Sequence, residues 1–328
     1  MNGGVTPPGR WELLEGAVKG AGKKYSQDRC AALHIAGGEA VVLAVADGHG
    51  SAPHFRSDLG ARWAVDEFVA CARKFATTAV EVDAEARKNG DEGHWYAGLA
   101  ELHAQARRLP EHVAHRWYGR ATLHDCNSPA HGGLPVTPSA QNPKGSDSGL
   151  HPKGPEATQH PKGPDLTAYG ATLVGAVLTR RLLVCWQLGD GDVVVLDAVG
   201  TPYTPLYTGP DLGDETDSLC AAESWHRARC HWQPLTNESP SGLLLSTDGL
   251  SKSFTDHQGF LDFAAGVQGR ATELGMPAVR TRLPDWLGRA AQYSGDDTTL
   301  VGAFEATDAF APQQNDAPDV SHERNRAW

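Results

Sequence analysis

Three features of the chain predict an α+β fold. Residues 169–196 form apolar segments separated by tight turns, so strand follows strand there with no helix between. Helical spacing is confined to two blocks, 53–117 and 256–291. Segregation of that kind belongs to antiparallel sheets with helices packed on them, not to alternating parallel units. The third feature is Val41-Val42-Leu43-Ala44-Val45-Ala46-Asp47-Gly48-His49-Gly50. Its continuous apolar run fits a strand buried on both faces, ended by glycines that let the backbone approach a ligand.

In chain order, residues 1–10 are rich in Gly and Pro and read as a frayed start. Residues 11–19 read as a first strand. Gly20 to Asp28 superficially suggests a phosphate-binding P-loop, but Ala21 stands where the second Gly belongs and Lys24 follows Lys23 where Ser or Thr is needed. Residues 30–36 and 40–46 form a hairpin through Gly37-Gly38. Pro53 opens a helix to about Ala79, with Phe55, Leu59, Trp63, Phe68, Ala72 and Phe75 at helical spacing. A second helix covers 94–109; Pro110 is expected to interrupt it, with 111–117 continuing at an angle. Strands follow at 169–178, 182–188, 193–196, 225–232 and 241–246. Helices at 256–266 and 271–291 precede a last strand at 298–304.

Residues 121–166 differ in kind, being rich in Pro, Gly, Ser, Asn and His, with His-Pro-Lys-Gly-Pro at 151–155 and again at 160–164. Such a stretch buries too little surface to offset its ordering entropy and reads as a disordered insertion. The expected organisation is one domain over 10–306, interrupted by 121–166 and followed by a polar tail, 307–328. A formal charge of −11 argues against nonspecific nucleic-acid or anionic-membrane binding. No apolar run of about eighteen residues exists to span a membrane, and the N-terminus lacks a signal-peptide core. Six cysteines without Cys-x-x-Cys suggest a reducing, cytoplasmic setting and buried thiols.

Acids recur beside the strands: Asp28 before one, Asp47-Gly48, Asp190-Gly191 and Asp248-Gly249 after others, Asp296-Asp297 before the last. One Asp-Gly is ordinary turn chemistry. Several gathered at one rim would repel and raise one another's pKa, a conflict that divalent cations remove. Asp47 is a hard oxygen ligand for Mg²⁺ or Mn²⁺, and His49 can give or take a proton near neutrality.

The ordered set Gln27-Asp28, Asp47-Gly48-His49-Gly50, Gly170-Ala171-Thr172, Gly189-Asp190, Ser246-Thr247-Asp248-Gly249 and Gly295-Asp296-Asp297-x-Thr299 resembles the metal-dependent serine/threonine protein phosphatases of the 2C type, in a bacterial form. The motifs cover about 20–304 in the family's order. The resemblance implies a four-layer αββα sandwich, two antiparallel sheets flanked by helix pairs. It implies two Mn²⁺ or Mg²⁺ ions, with a third in some relatives. Asp47 then matches the bridging carboxylate, the Gly48 carbonyl a ligand of the second ion, Asp248 and Asp296 further ligands of the first. Asp190 matches the ligand of the third ion, and Asp28 the acid that holds metal-bound water. A hydroxide bridging the ions would attack phosphorus in line, with His49 as general acid. The implied substrate is a phosphoserine or phosphothreonine protein, with a kinase as counterpart; a monomer is expected. Two departures stand out. Many relatives carry an Arg before the first acid for the substrate phosphate, where this chain offers Lys23 and Lys24, point charges without the bidentate fork. Asp297 stands where many relatives have Asn.

Two rivals compete. Asp190-Gly191-Asp192 after an apolar strand imitates the nucleophile motif of haloacid-dehalogenase-like phosphatases, which needs a helix soon after it to build a parallel sheet; strand follows instead. A catalytically inactive relative serving as a binding or regulatory module would be free to lose ligands, yet Asp47, Asp248 and Asp296 are all present.

Overall fold

The computed structural model describes residues 10–128, 165–207, 216–236 and 239–306. The expected frayed start, the tail 307–328 and most of the 121–166 segment lie outside them. The described elements form two five-stranded antiparallel sheets. One runs β1 (Trp11–Val18), β10 (Thr298–Glu305), β9 (Gly242–Ser246), β6 (Asp192–Leu196) and β7 (Pro202–Tyr203). The other runs β2 (Arg29–Ile35), β3 (Ala40–Ala46), β4 (Leu173–Thr179), β5 (Leu182–Leu188) and β8 (Arg229–Pro234).

Alternation along each strand assigns its faces. In β3, Val41, Leu43 and Val45 join Val174, Ala176, Leu243, Leu245 and Val301 in the core between the sheets. Val42, Ala44 and Ala46 face the other way, into a core shared with α1 (Ser57–Asn89) and α2 (Glu92–Asn127). Leu14, Leu244, Leu300 and Phe304 pack outward against α4 (His257–Leu274) and α5 (Met276–Ser294). The result is the four-layer αββα sandwich. Strand β3 is buried on both faces, as its unbroken apolar run requires.

Several boundaries depart from the sequence reading. Pro53 lies in a short 3-10 turn, Ala52–His54, and α1 starts only at Ser57. Pro110 does not end α2. A proline there leaves the carbonyl four residues back without its helical donor, and the Trp186 indole N–H donates to that carbonyl, Ala106 O, at 2.8 Å. Leu102, Ala106, Leu109, Val113 and Trp117 stay buried across the proline, so tertiary packing holds the helix together. The helix then continues to Asn127, carrying buried Ala121 into the expected insertion; that boundary is corrected to lie beyond residue 127. Residues 224–227 form a 3-10 turn rather than strand, with Trp225 packed on His115 at 4.8 Å between centroids. The two late helices divide at Gly275 (φ 80°), with Pro277 in the first turn of the second. Among the described residues, no helix is long and apolar enough to cross a membrane.

Candidate active site

Both sheets deliver acids to one rim. In the β2–β3 register Arg29 faces Ala46, so one step further the ladder sets Asp28 beside Asp47. Strand β9 ends at Ser246 and Asp248 opens the single turn α3 (Asp248–Ser251). Asp296 and Asp297 precede β10, and Asp190 sits in the turn between β5 and β6.

The backbone around these acids is tightly specified. Asp47 N–H donates to Thr172 Oγ1 (3.0 Å) and Thr172 N–H to the Asp47 carbonyl (2.8 Å). That cross-link is what the Gly170-Ala171-Thr172 motif provides. Asp28 Oδ2 accepts from the hydroxyls of Thr247 (2.8 Å) and Thr299 (2.7 Å). Asp297, almost fully buried, accepts from the backbone N–H groups of Gly20 (2.8 Å) and Gln27 (2.7 Å). It pins both ends of the loop between β1 and β2. An Asn could offer only one strong acceptor there, so the departure at 297 closes this loop. Gly249 has no room for a Cβ because the Asp297 carbonyl lies against it.

The charges are poorly balanced. Asp28 Oδ1, Asp47 Oδ1 and Asp248 Oδ1 are buried without a hydrogen-bond partner among the described residues. Burial pushes the Asp28 carboxyl up to about 6. Asp248 is pushed to about 7 by burial and by the charge of Asp190. Asp47 is raised well above the usual carboxylate range by burial and by the charges of Asp28 and Asp248. Two lysines close on the cluster. Lys23 Nζ contacts Asp296 Oδ1 and lies 3.3 Å from Asp297 Oδ2. Lys252 Nζ contacts Asp248 Oδ2 and lies 3.5 Å from Asp190 Oδ2. Lys24 is exposed and makes no ion pair among the described residues. Among them, no three His, Cys, Asp or Glu side chains form a ready-made metal cage; Asp190, Asp248, Asp296 and Asp297 lie against lysine ammonium groups instead.

His49 is half-buried beside His54, with ring centroids 4.8 Å apart. Its N–H donates to the Gly170 carbonyl (3.1 Å) and its carbonyl accepts from the Gln27 amide (3.1 Å). Gly170 is required here, since a Cβ would meet both imidazoles. Burial and His54 lower the His49 pKa below 6.5. Sequence reasoning missed His54 and the role of Lys252; the latter's signal was a lysine one helical turn after Asp248.

A pH dependence follows. Carboxyls whose pKa rises from 3.8 to about 6 and 7 hold protons more tightly in the fold than in the unfolded chain. Between those values the native state binds more protons, so this cluster's contribution to stability is fullest in acid and falls as pH rises through the window. EDTA-treated protein is expected to lose melting temperature between about pH 4 and about pH 7, and Asp28→Asn is expected to flatten that slope. A slope unchanged by Asp28→Asn would contradict the assignment.

Comparisons with known proteins bear on the fold and the family. The protein phosphatase 2C family profile matches residues 16–288. A crystal structure of a bacterial serine phosphatase shares 13% identity, covering 91% of this chain and 99% of its own, with a TM-score of 0.50. The serine/threonine phosphatase of S. agalactiae shares 12% identity over 90% of this chain and 100% of its own, with a TM-score of 0.51. No curated protein matches significantly. The chain belongs to the protein phosphatase 2C family. Its antiparallel sheets also exclude the haloacid-dehalogenase-like alternative: β6 follows Asp190 and leads to β7, with no helix between them.

Proposed function

We propose that the chain is a Mn²⁺- or Mg²⁺-dependent phosphatase of phosphoserine and phosphothreonine proteins. The observation that carries this reading is the trio of buried, unpartnered carboxylate oxygens on Asp28, Asp47 and Asp248. Buried acceptors whose pKa values are raised by burial and by neighbouring carboxylates are costly unless cations meet them. Hard oxygen donors of this kind suit Mg²⁺ or Mn²⁺. Asp47, the Gly48 carbonyl, Asp248 and Asp296 would hold the ions, with Asp28 orienting water beside them. Divalent cations there would supply charge for the phosphoryl oxygens and lower the pKa of water.

The remaining work falls to the chain. His49 would hand a proton to the departing serine or threonine oxygen. Its lowered pKa makes the imidazolium a stronger donor and a scarcer one at neutral pH. Lys23, tied to Asp296 and Asp297, would have to leave them to meet a substrate phosphate, so Lys24 is the freer of the two. The six unpaired cysteines favour a reducing, cytoplasmic setting.

The test is hydrolysis of a phosphothreonine peptide by EDTA-treated protein with and without Mn²⁺. Turnover should require the metal and be lost in Asp248→Ala. Mn²⁺ binding without turnover would point to another substrate or to the lysines that replace the phosphate-binding Arg, whereas loss of both turnover and Mn²⁺ binding would support the inactive-module reading. His49→Ala should slow the peptide about 10²-fold or more but an activated aryl phosphate far less, since only the former needs a proton. Equal losses on both substrates would remove His49 from the acid role.

A further inference from the structure

We propose that the Lys252 ammonium is a built-in cation spanning Asp190 and Asp248, standing where a further divalent ion would otherwise bind. This rests on the metal-dependent reading above.

The argument starts from the turn that carries Lys252. Asp248 opens α3, and Lys252 N–H donates to the Asp248 carbonyl at 2.8 Å, which closes one helical turn. Residues four apart on such a turn share a face. The lysine side chain therefore returns to the carboxylate at the start of its own turn. Its Nζ contacts Asp248 Oδ2 and reaches Asp190 Oδ2 at 3.5 Å, across 62 residues of sequence.

The oxygens of Asp248 are divided by this arrangement. Oδ2 is committed to Lys252, while Oδ1 is buried and unpartnered, as are Oδ1 of Asp28 and of Asp47. One oxygen remains for the inner cluster, and the outer edge already has its cation. Asp190 is occupied too: the same Oδ2 accepts from the Thr216 hydroxyl at 3.2 Å. Lys23 does something different on the opposite edge, where Asp297 is already satisfied by two backbone N–H groups. At the Asp190–Asp248 edge, by contrast, the lysine is the cation that contacts both carboxylates.

An ammonium tethered by one helical turn competes at an effective concentration on the order of millimolar or higher, whereas a free ion competes at its solution concentration. The Lys252 side chain is 61% exposed, so it can swing away when an ion wins. The consequence is a weakened outer site rather than a blocked one. An ammonium present about nine-tenths of the time weakens an ion there about tenfold.

The test counts Mn²⁺ bound to EDTA-treated protein from the loss of the free-ion electron paramagnetic resonance signal. Lys252→Met should gain a Mn²⁺ site, or tighten the weakest one about tenfold or more. Lys252→Arg, which keeps the charge, should bind like the original chain. Asp190→Asn placed in Lys252→Met should erase the gain, which separates the outer ion from the inner ones. Identical Mn²⁺ isotherms for Lys252→Met and the original chain would overturn the proposal. Lys252→Gln gives the same reading if Lys252→Met misfolds. Absence of Mn²⁺ binding in every variant would instead sink the metal-dependent reading, and this inference with it.

Discussion

Asp47→Asn is expected to lower Mn²⁺-supported turnover by about 10³-fold or more, while the metal-free protein melts no lower than the original chain. The two halves come from one cause. Asp47 is held by backbone bonds to Thr172 that an amide at its side chain does not disturb, so its place on the rim survives. What the substitution removes is a charge that burial and the neighbouring Asp28 and Asp248 already oppose. Without metal the site is relieved of repulsion; with metal it would lack the ligand proposed as central. Paired assays of turnover and melting in EDTA would check this. A lower melting temperature in EDTA, with activity retained, would mean that Asp47 serves the fold rather than the chemistry.

Gly60→Ala is expected to cost about 3 kcal/mol or more, read as a lower urea midpoint with the slope unchanged. Gly60 lies in the first turns of α1, and a Cβ there would land on the Tyr169 carbonyl. That contact is backbone against helix, so no side chain can rotate out of the way. The Gly60 carbonyl also accepts from the buried Trp117 indole at 2.9 Å, which ties α2 to the same point. Tyr169 leads directly into Gly170, Ala171 and Thr172, so displacement there reaches Asp47. Gly119, in α2 with nothing within 4 Å of a built Cβ, is the control: Gly119→Ala should gain about 0.5–1 kcal/mol by helix propensity. Equal effects at both positions would mean that the contact at Gly60 relaxes freely.

Much of the architecture was legible because it is written in short-range pattern. The run from Val41 to Ala46 announces a strand with two buried faces, and β3 has them. The glycines of the 37–38 turn adopt positive φ, as a tight hairpin demands. Pro110 misled because its cost is local while its remedy is not: the donor that satisfies Ala106 O comes from Trp186, on a strand of the adjoining sheet.

The same division runs through the candidate site. The sequence by itself determined which acids stand beside strand ends, since Asp-Gly steps stop strands locally. It also determined that His49 follows Asp47 on one turn. Only the tertiary structure decided which oxygens remain unpaired and which are closed by lysine. Lys252 meets Asp190 across 62 residues, Asp28 meets Thr299 across 271 and Gly20 meets Asp297 across 277. Charges and hydrogen bonds at such separations have no periodicity to read along the chain. They exist only once two sheets, packed through the Val41, Leu43 and Val45 face, bring their strand ends to a common rim.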